Sequence, residues 1–331
     1  MTGVAQTYLA RSRAAEVYDL VRRTSLDMAP NLYADSGGFL TSQGTLTLAF
    51  GRLFGGSTVV YTGTSLAVPE RVIRDWDVPG LNNDDLMTRT ARFVGENTVH
   101  LLPPEESNEN NSLFVKGWEA AGYDAEQFPV NLKGCRGSSL CNLGCPNGAK
   151  QGTHVVPLPA AMAAGVEVVT RAMVTHLRHP GPDGWAEADV RVHDRPLGRM
   201  GAPGEWAKGR YTVRARTVVL AGGSMGSVPL LLHSGFGTWL PRLGHGFTCH
   251  PAFILVGEHD RPITTEVGHP KSFFVDRAAE DGFVLETCMY FPFITAKNLT
   301  GFGADHSALM AAFERLQMIL VLACDKATEE N

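Results

Sequence analysis

Val218-Val219-Leu220-Ala221-Gly222-Gly223-Ser224 is the stretch on which the fold reading turns. Three consecutive apolar residues, two of them β-branched, read as a strand buried on both faces, the habit of parallel sheets. The run passes straight into Ala221-Gly222-Gly223, and a helix is expected over about 225–234. A strand that ends in glycines and opens a helix turns backbone N–H groups toward the edge where open α/β sheets bind anionic ligands. The same pattern also fits an ordinary β–turn–α unit without a ligand.

Working outward, short β runs precede this unit at 166–169 and 172–174. Residues 189–193 and 211–214 alternate apolar and polar, as half-exposed strands do, with the Gly/Pro-rich piece 196–209 as their hairpin loop. Beyond it, 251–294 alternates again (Phe253-Ile254-Leu255-Val256; Phe283-Val284-Leu285-Glu286), which predicts a largely antiparallel sheet. Residues 316–323, interrupted by Gln317, read as one face of a core element. Helices are expected over 4–26, over 84–95 with Asn82 or Asn83 as N-cap, over 111–121 up to Gly122, and between Pro157 and Gly165. Residues 27–50 read as loop.

The 331 residues are 44% hydrophobic and 19% charged, a globular composition of about two domains with core enough to need no disulfide staples. Thirty-six glycines exceed the usual share of about 7% and point to many tight turns and close backbone approaches. A net charge of −5 with scattered Lys and Arg argues against nucleic acid as a partner. No apolar run approaches the roughly 20 residues a bilayer demands, and the first 20 residues lack the apolar core of a signal peptide. With six scattered cysteines, this predicts a cytoplasmic protein with no integral membrane contact.

Several groups carry candidate chemistry. Gly55-Gly56-Ser57-Thr58 lets a flat ring or a pyrophosphate approach the main chain, with two hydroxyls beside it; a plain glycine turn is the alternative. Cys135, Cys141 and Cys145-Pro146 end in a ferredoxin-like C-x3-C-P leg, but the earlier spacing does not fit. A zinc site would need His154 or His250 as fourth ligand, so a packed structural loop is the preferred reading and no metal site is assigned. His250-Pro251 could hold a functional histidine, but a hydrogen-bonded turn is the preferred reading; His176, His179 and His193 are read as solvated, and Asp75-Trp76-Asp77 as a loop anchored by a packed Trp76. No Ser/His/Asp or Cys/His triad is evident.

In order, these segments resemble the glucose–methanol–choline (GMC) flavin oxidoreductases, near the long-chain alcohol oxidase and cholesterol oxidase-like branch. Gly51-Arg52-x-x-Gly55-Gly56-Ser57-Thr58 resembles the signature packed over the FAD pyrophosphate and flavin. Residues 134–150 resemble the branch's cysteine-rich loop, Ala172-Met173-Val174 the strand whose valine main chain meets the adenine side, and residues 218–235 the second signature; His250-Pro251 falls at the family's His-Pro. The resemblance covers about 51–251.

It implies an α/β fold: a Rossmann-like FAD/NAD(P)-binding domain plus a substrate domain with a largely antiparallel sheet. The FAD-binding domain would comprise 1–66 and 151–250, a connecting and cysteine-loop region 67–150, and the start of the substrate domain 251–331. The implied cofactor is FAD, held by Gly55, Gly56, Ser57, Thr58, Tyr61, Thr62, Gly63, Val174, Ala221, Gly222, Gly223 and Ser227. The implied reaction moves a hydride from an alcohol carbon to the flavin while a histidine takes the hydroxyl proton. Three departures stand out. No G-x-G-x-x-G precedes Gly51; the family's catalytic histidine and its His/Asn partner are expected beyond Asn331; and Tyr61 stands where the family has Asn. The chain is therefore expected to lack the first βαβ unit and the catalytic segment, leaving catalytic residues unassigned. The alternatives are an inactive fragment, a subunit needing a complementing chain, and, more remotely, a metal or iron–sulfur protein.

Overall fold

The structure is a computed structural model that describes residues 32–34, 39–40, 47–76, 78–193, 206–265, 267–290, 292, 295–296 and 299–328. The helix expected over 4–26, most of 27–50 and most of the 196–209 loop lie outside the described residues. The chain divides into two compact units, residues 1–166 with 251–324 and residues 167–250 with 325–331. This division groups 1–66 with 251–324.

The strands in chain order begin with β1 (Phe39–Leu40), β2 (Thr47–Leu48), β3 (Val99–His100), β4 (Glu126–Gln127) and β5 (Val130–Asn131). β6 (Ala172–Arg178), β7 (Ala186–Val192) and β8 (Gly209–Ala215) belong to the second unit. β9 (Ala252–Glu258), β10 (Phe273–Arg277), β11 (Phe283–Thr287) and β12 (Leu316–Ala323) return to the first. The main helices are α1 (Glu70–Trp76), α2 (Asn83–Glu96), α3 (Glu109–Ala120), α4 (Pro157–Ala163), α5 (Ser224–His233) and α6 (Gly303–Ala311).

The first unit is built on an antiparallel sheet of order β4-β10-β11-β12-β9. One face carries Val275, Leu285, Ile319 and Val321, which pack on Phe114 and Trp118 of α3, one helical turn apart. Phe114 is almost fully buried, which stabilises the fold by about 2–3 kcal/mol. The other face carries Leu316, Met318 and Leu320 with Ile254 and Val256. β12 is thus covered on both sides, which is why 316–323 is a nearly continuous apolar run although its neighbours are antiparallel. Asn108 caps α3 by accepting from Asn111 N at 3.0 Å, and Asn82 caps α2 by accepting from Asp85 N at 2.7 Å.

In the second unit β6-β7-β8 form an antiparallel sheet. Ser234 Oγ, just past α5, accepts from Leu177 N of β6 at 2.9 Å and ties helix to sheet. Arg178 grips Asp189 with two hydrogen bonds of 2.6 and 2.7 Å.

The expected alternating strands, the antiparallel sheet and the helices at 84–95 and 111–121 are all present. Four expectations are corrected. Residues 218–220 form no strand: Val219 is 82% exposed, and no described strand lies in register with the run. A parallel strand exists only against a neighbour, so apolar character alone could not make one. Residues 166–169 are irregular for the same reason. Trp76 is 52% exposed rather than packed, at the last residue of α1. His193 is not solvated at Nε2, which is buried. The architecture is accordingly mixed helix and antiparallel sheet.

Candidate functional site

Gly55 and Gly56 open a turn that runs into a single 3₁₀ turn, Gly56–Val59. Gly55 has φ +96°, and a Cβ there would lie 2.7 Å from the His154 Cβ. Gly56 has φ +57°, but a Cβ would meet nothing within 4 Å. One glycine is needed to close the turn; the other leaves its outer side bare. The hydroxyls expected to meet a ligand are engaged at home. Ser57 Oγ accepts from Gly51 N at 3.0 Å. Thr58 Oγ1 and Thr153 Oγ1 lie 2.8 Å apart, each 2.7 Å from Gly55 O, and Thr153 N donates to Thr58 Oγ1. A Cβ on Gly152 would fall 2.7 Å from Thr58 O. Gly152-Thr153-His154 is therefore the socket of the turn. What the turn offers a ligand is main chain and the bare side of Gly56.

Four carbonyls of the segment from Val59, which ends the turn, to Gly63 are pinned. Lys150 Nζ donates to Val59 O at 2.7 Å, to Cys141 O at 2.6 Å and to Tyr61 O, and lies 5.0 Å from the centroid of the Tyr61 ring. His269 Nε2 donates to Thr62 O at 2.9 Å, and Asn131 N to Gly63 O at 2.9 Å. Lys150 is 1% exposed, and burial pushes its pKa down to about 8. His269 is fully buried, held at Nδ1 by Ser272 Oγ at 3.1 Å, and burial pushes it down to about 4. It is therefore neutral at pH 7, with its proton on the nitrogen facing Thr62. Gly63 takes φ +95°, where a Cβ would press on Asn131 Oδ1 at 3.1 Å.

With the main chain fixed, Tyr61 and Thr62 form one wall of a cavity of about 220 Å³. Lys271, Met289, Tyr290 and Leu320 line the rest, with Cys288, Asn142 and Pro270. Lys271 pairs with the buried carboxylate of Glu286. Burial pushes the Cys288 thiol up to about 12 and raises the Tyr290 hydroxyl as well, so both are neutral at pH 7. Among the described residues, no histidine lines this cavity.

Of the expected cofactor residues, Gly55, Gly56, Ser57, Thr58, Tyr61, Thr62 and Gly63 are brought together in the first unit. Val174, Ala221, Gly222, Gly223 and Ser227 belong to the second. There, Gly223 precedes α5 at φ +68° with open space on its Cβ side, and no side chain caps the helix. Ser227 Oγ holds the turn by accepting from Gly222 N at 3.1 Å. Val174 stands at a β-bulge of β6, where the ladder skips a residue and main-chain groups are left over. Both glycine turns fit a group that approaches bare backbone, and the uncapped N-terminus of α5 suits a phosphate.

Sequence reasoning missed Lys150, Gly152, Thr153 and His269 as parts of the site. A lysine flanked by Gly148-Ala149 and Gln151-Gly152, in a stretch poor in charge, was the available signal for the first three. Around Lys150 burial shifts the thiols of Cys135 and Cys141 upward, Cys141 to about 12. Among the described residues no group of His, Cys, Asp or Glu is placed to hold a metal ion. No helix among them is long and apolar enough to cross a membrane.

In the first unit, a turn bare at Gly56 and a pinned segment walling a cavity stand one after the other in the chain. A sequence profile of the GMC oxidoreductases matches residues 29–252. An uncharacterised GMC-type oxidoreductase of Mycobacterium tuberculosis is 32% identical over 311 residues, 92% of this chain and 47% of that protein. Two Arabidopsis thaliana proteins, the long-chain-alcohol oxidases FAO4B and FAO3, are 26% and 24% identical over 68% and 67% of the chain and 30% of their own lengths. The chain belongs to the GMC oxidoreductase family, a family of flavoprotein oxidoreductases. It spans about half the length of the mycobacterial relative and less of the plant ones.

Proposed function

We propose that the chain carries flavin-facing loops and part of the substrate sheet of an FAD-dependent oxidoreductase that acts on the CH–OH group of an alcohol. The observation that carries this reading is the segment Val59–Gly63, four of whose carbonyls are fixed by Lys150, His269 and Asn131 beside the bare side of Gly56. FAD, when bound, supplies the acceptor for the hydride leaving the alcohol carbon.

The chain's own residues bind and orient. Gly55, Gly56, Ser57 and Thr58 present main chain to the cofactor, and Tyr61, Thr62 and Gly63 carry the wall toward the cavity. In the second unit, Val174, Ala221, Gly222, Gly223 and Ser227 offer backbone groups of their own to a phosphorylated ligand. The long-chain alcohol class is suggested by the names of the plant relatives. No residue of the chain is assigned the role of proton acceptor. A second reading, in which a complementing chain supplies a strand against 218–220, is favoured by the exposure of Val219.

The test is anaerobic: load the purified chain with FAD, remove free flavin, add a long-chain primary alcohol, and follow the flavin absorbance. Bleaching supports oxidation by this chain as it stands. Retained flavin without bleaching supports the second reading, and no retained flavin overturns the first.

A further inference from the structure

The β6-β7-β8 sheet carries an unmatched pair of charges that the cofactor reading does not use. Along β7, Val190 and Val192 are buried and Arg191 between them is exposed, so Arg191 stands on the solvent side of the sheet. Its partner in register across the ladder is Arg210 of β8, also exposed. Residues directly opposite in an antiparallel pair hold their Cβ atoms roughly 5 Å apart, and like charges placed so repel. The other two arginines of these strands are neutralised, Arg178 by Glu187 and Asp189, Arg214 by Asp183 and Glu187. Asp189, the acid nearest to Arg191 along β7, is taken by Arg178 and Thr212. Neither Arg191 nor Arg210 pairs with a carboxylate among the described residues. On the other side of Arg191, in register on β6, stands the exposed Met173. The row beyond is strained and unfinished. Arg171 takes φ +58°, a left-handed conformation, and its carbonyl accepts from His193 N at 3.1 Å. His193 Nε2 is enclosed without a hydrogen-bond partner. Repulsion, strain and an orphaned nitrogen meet at one end of one sheet, and a fold keeps such costs where a ligand offsets them.

We propose that Arg191 and Arg210 together hold the dianionic phosphate of a phosphate monoester, whose organic part lies over Met173. Each guanidinium presents a planar fork of N–H donors that matches two phosphate oxygens. A dianion neutralises both arginines and turns their repulsion into a shared attraction. A sulfate ester, with one charge, neutralises one arginine and leaves the other uncompensated. The chain as a whole carries a net charge of −5, so anion binding here is a property of this spot and not of the surface at large. A free phosphate ester and the headgroup of phosphatidic acid present the same chemistry. The site is independent of the cofactor reading: neither arginine is among the residues expected to meet FAD.

The experiment measures binding of phenyl phosphate, phenyl sulfate and phenol to the full chain by ligand-observed NMR, at low salt and near neutral pH, where a phosphate monoester is largely a dianion. The expected result is saturable binding of phenyl phosphate, at least tenfold tighter than phenyl sulfate, and none of phenol. Arg191→Gln and Arg210→Gln each weaken phenyl phosphate at least tenfold. Arg92→Gln, which removes an exposed charge on α2, leaves its affinity within twofold. Thermal melts show that the variants are folded: without ligand, each β-strand variant melts no lower than the wild type, because a repulsion is gone. Phenyl phosphate raises the melting temperature of the wild type and not of those two variants. Equal affinity of the wild type for the phosphate and sulfate esters, no saturable binding, or β-strand variants that bind as the wild type does, overturns the proposal. Vesicles separate the two sources. Co-sedimentation with phosphatidic acid vesicles that phenyl phosphate competes away assigns the lipid headgroup; tight binding of phenyl phosphate without co-sedimentation assigns a free ester.

Discussion

Replacing Lys150 by methionine tests whether one buried ammonium holds the segment that walls the cavity. The variant keeps the length of the side chain and removes three donors, leaving Val59 O, Tyr61 O and Cys141 O without them. A buried carbonyl deprived of its donor costs about 1–3 kcal/mol, so the three together cost roughly 6 kcal/mol. Against this stands the relief of not burying a charge. The lysine falls from 10.5 to about 8 on burial, and at about 1.4 kcal/mol per unit the charged form carries roughly 3 kcal/mol of strain at neutral pH. The balance is a destabilisation of about 3 kcal/mol at pH 7, read from urea unfolding followed by tryptophan fluorescence. Because the folded pKa lies below the unfolded one, the unfolded chain holds more protons between about pH 8 and 10.5. The wild type therefore gains stability from this group as pH rises through that window and loses it again as pH falls through about 8. Methionine does not titrate, so the gap between the two proteins widens by about 2 kcal/mol from pH 7 to 9.5. Equal stability at pH 7, or a gap that narrows with rising pH, refutes the clamp.

Three further outcomes are expected. Gly55→Ala forces a Cβ into His154 at a left-handed position and destabilises by about 3 kcal/mol, whereas Gly56→Ala meets open space and costs about 1 kcal/mol of backbone strain; thermal melts of the two variants separate them. His269 has a folded pKa of about 4, below its ordinary 6.5, so its contribution is complete above pH 6.5 and is lost as pH falls through 4; His269→Gln should flatten that part of the acid unfolding curve. Arg178→Ala removes an ion pair whose partners are 42% and 38% exposed, and a change above about 1 kcal/mol in chemical denaturation would contradict its reading as a surface contact.

The sequence shows local order well and partners poorly. Alternation at 189–193, 211–214 and 283–286, and the Asn82 cap, depend on residues next to one another, and each is found in the fold. The run 218–220 misled because burial on both faces is a property of neighbouring strands, not of the three residues that invite them. At the candidate site, Gly55-Gly56 was legible because a left-handed turn demands glycine wherever it occurs. Lys150 and His269 were not, since their work is done on carbonyls 91, 89 and 207 positions away in the chain. No spacing rule reports a bond of that kind. The Lys271–Glu286 pair was equally hidden: Glu286 lies in an alternating strand on the side facing the core, where alternation leads one to expect an apolar residue.

The central claim is that bare main chain at Gly56 receives FAD. Its most direct measurement is a titration of the wild-type chain and of Gly56→Ala with FAD, followed by quenching of flavin fluorescence. The account predicts saturable binding by the wild type and a loss of at least tenfold in affinity for a variant that remains folded. Equal affinity of the two proteins, or no saturable binding by the wild type, contradicts it.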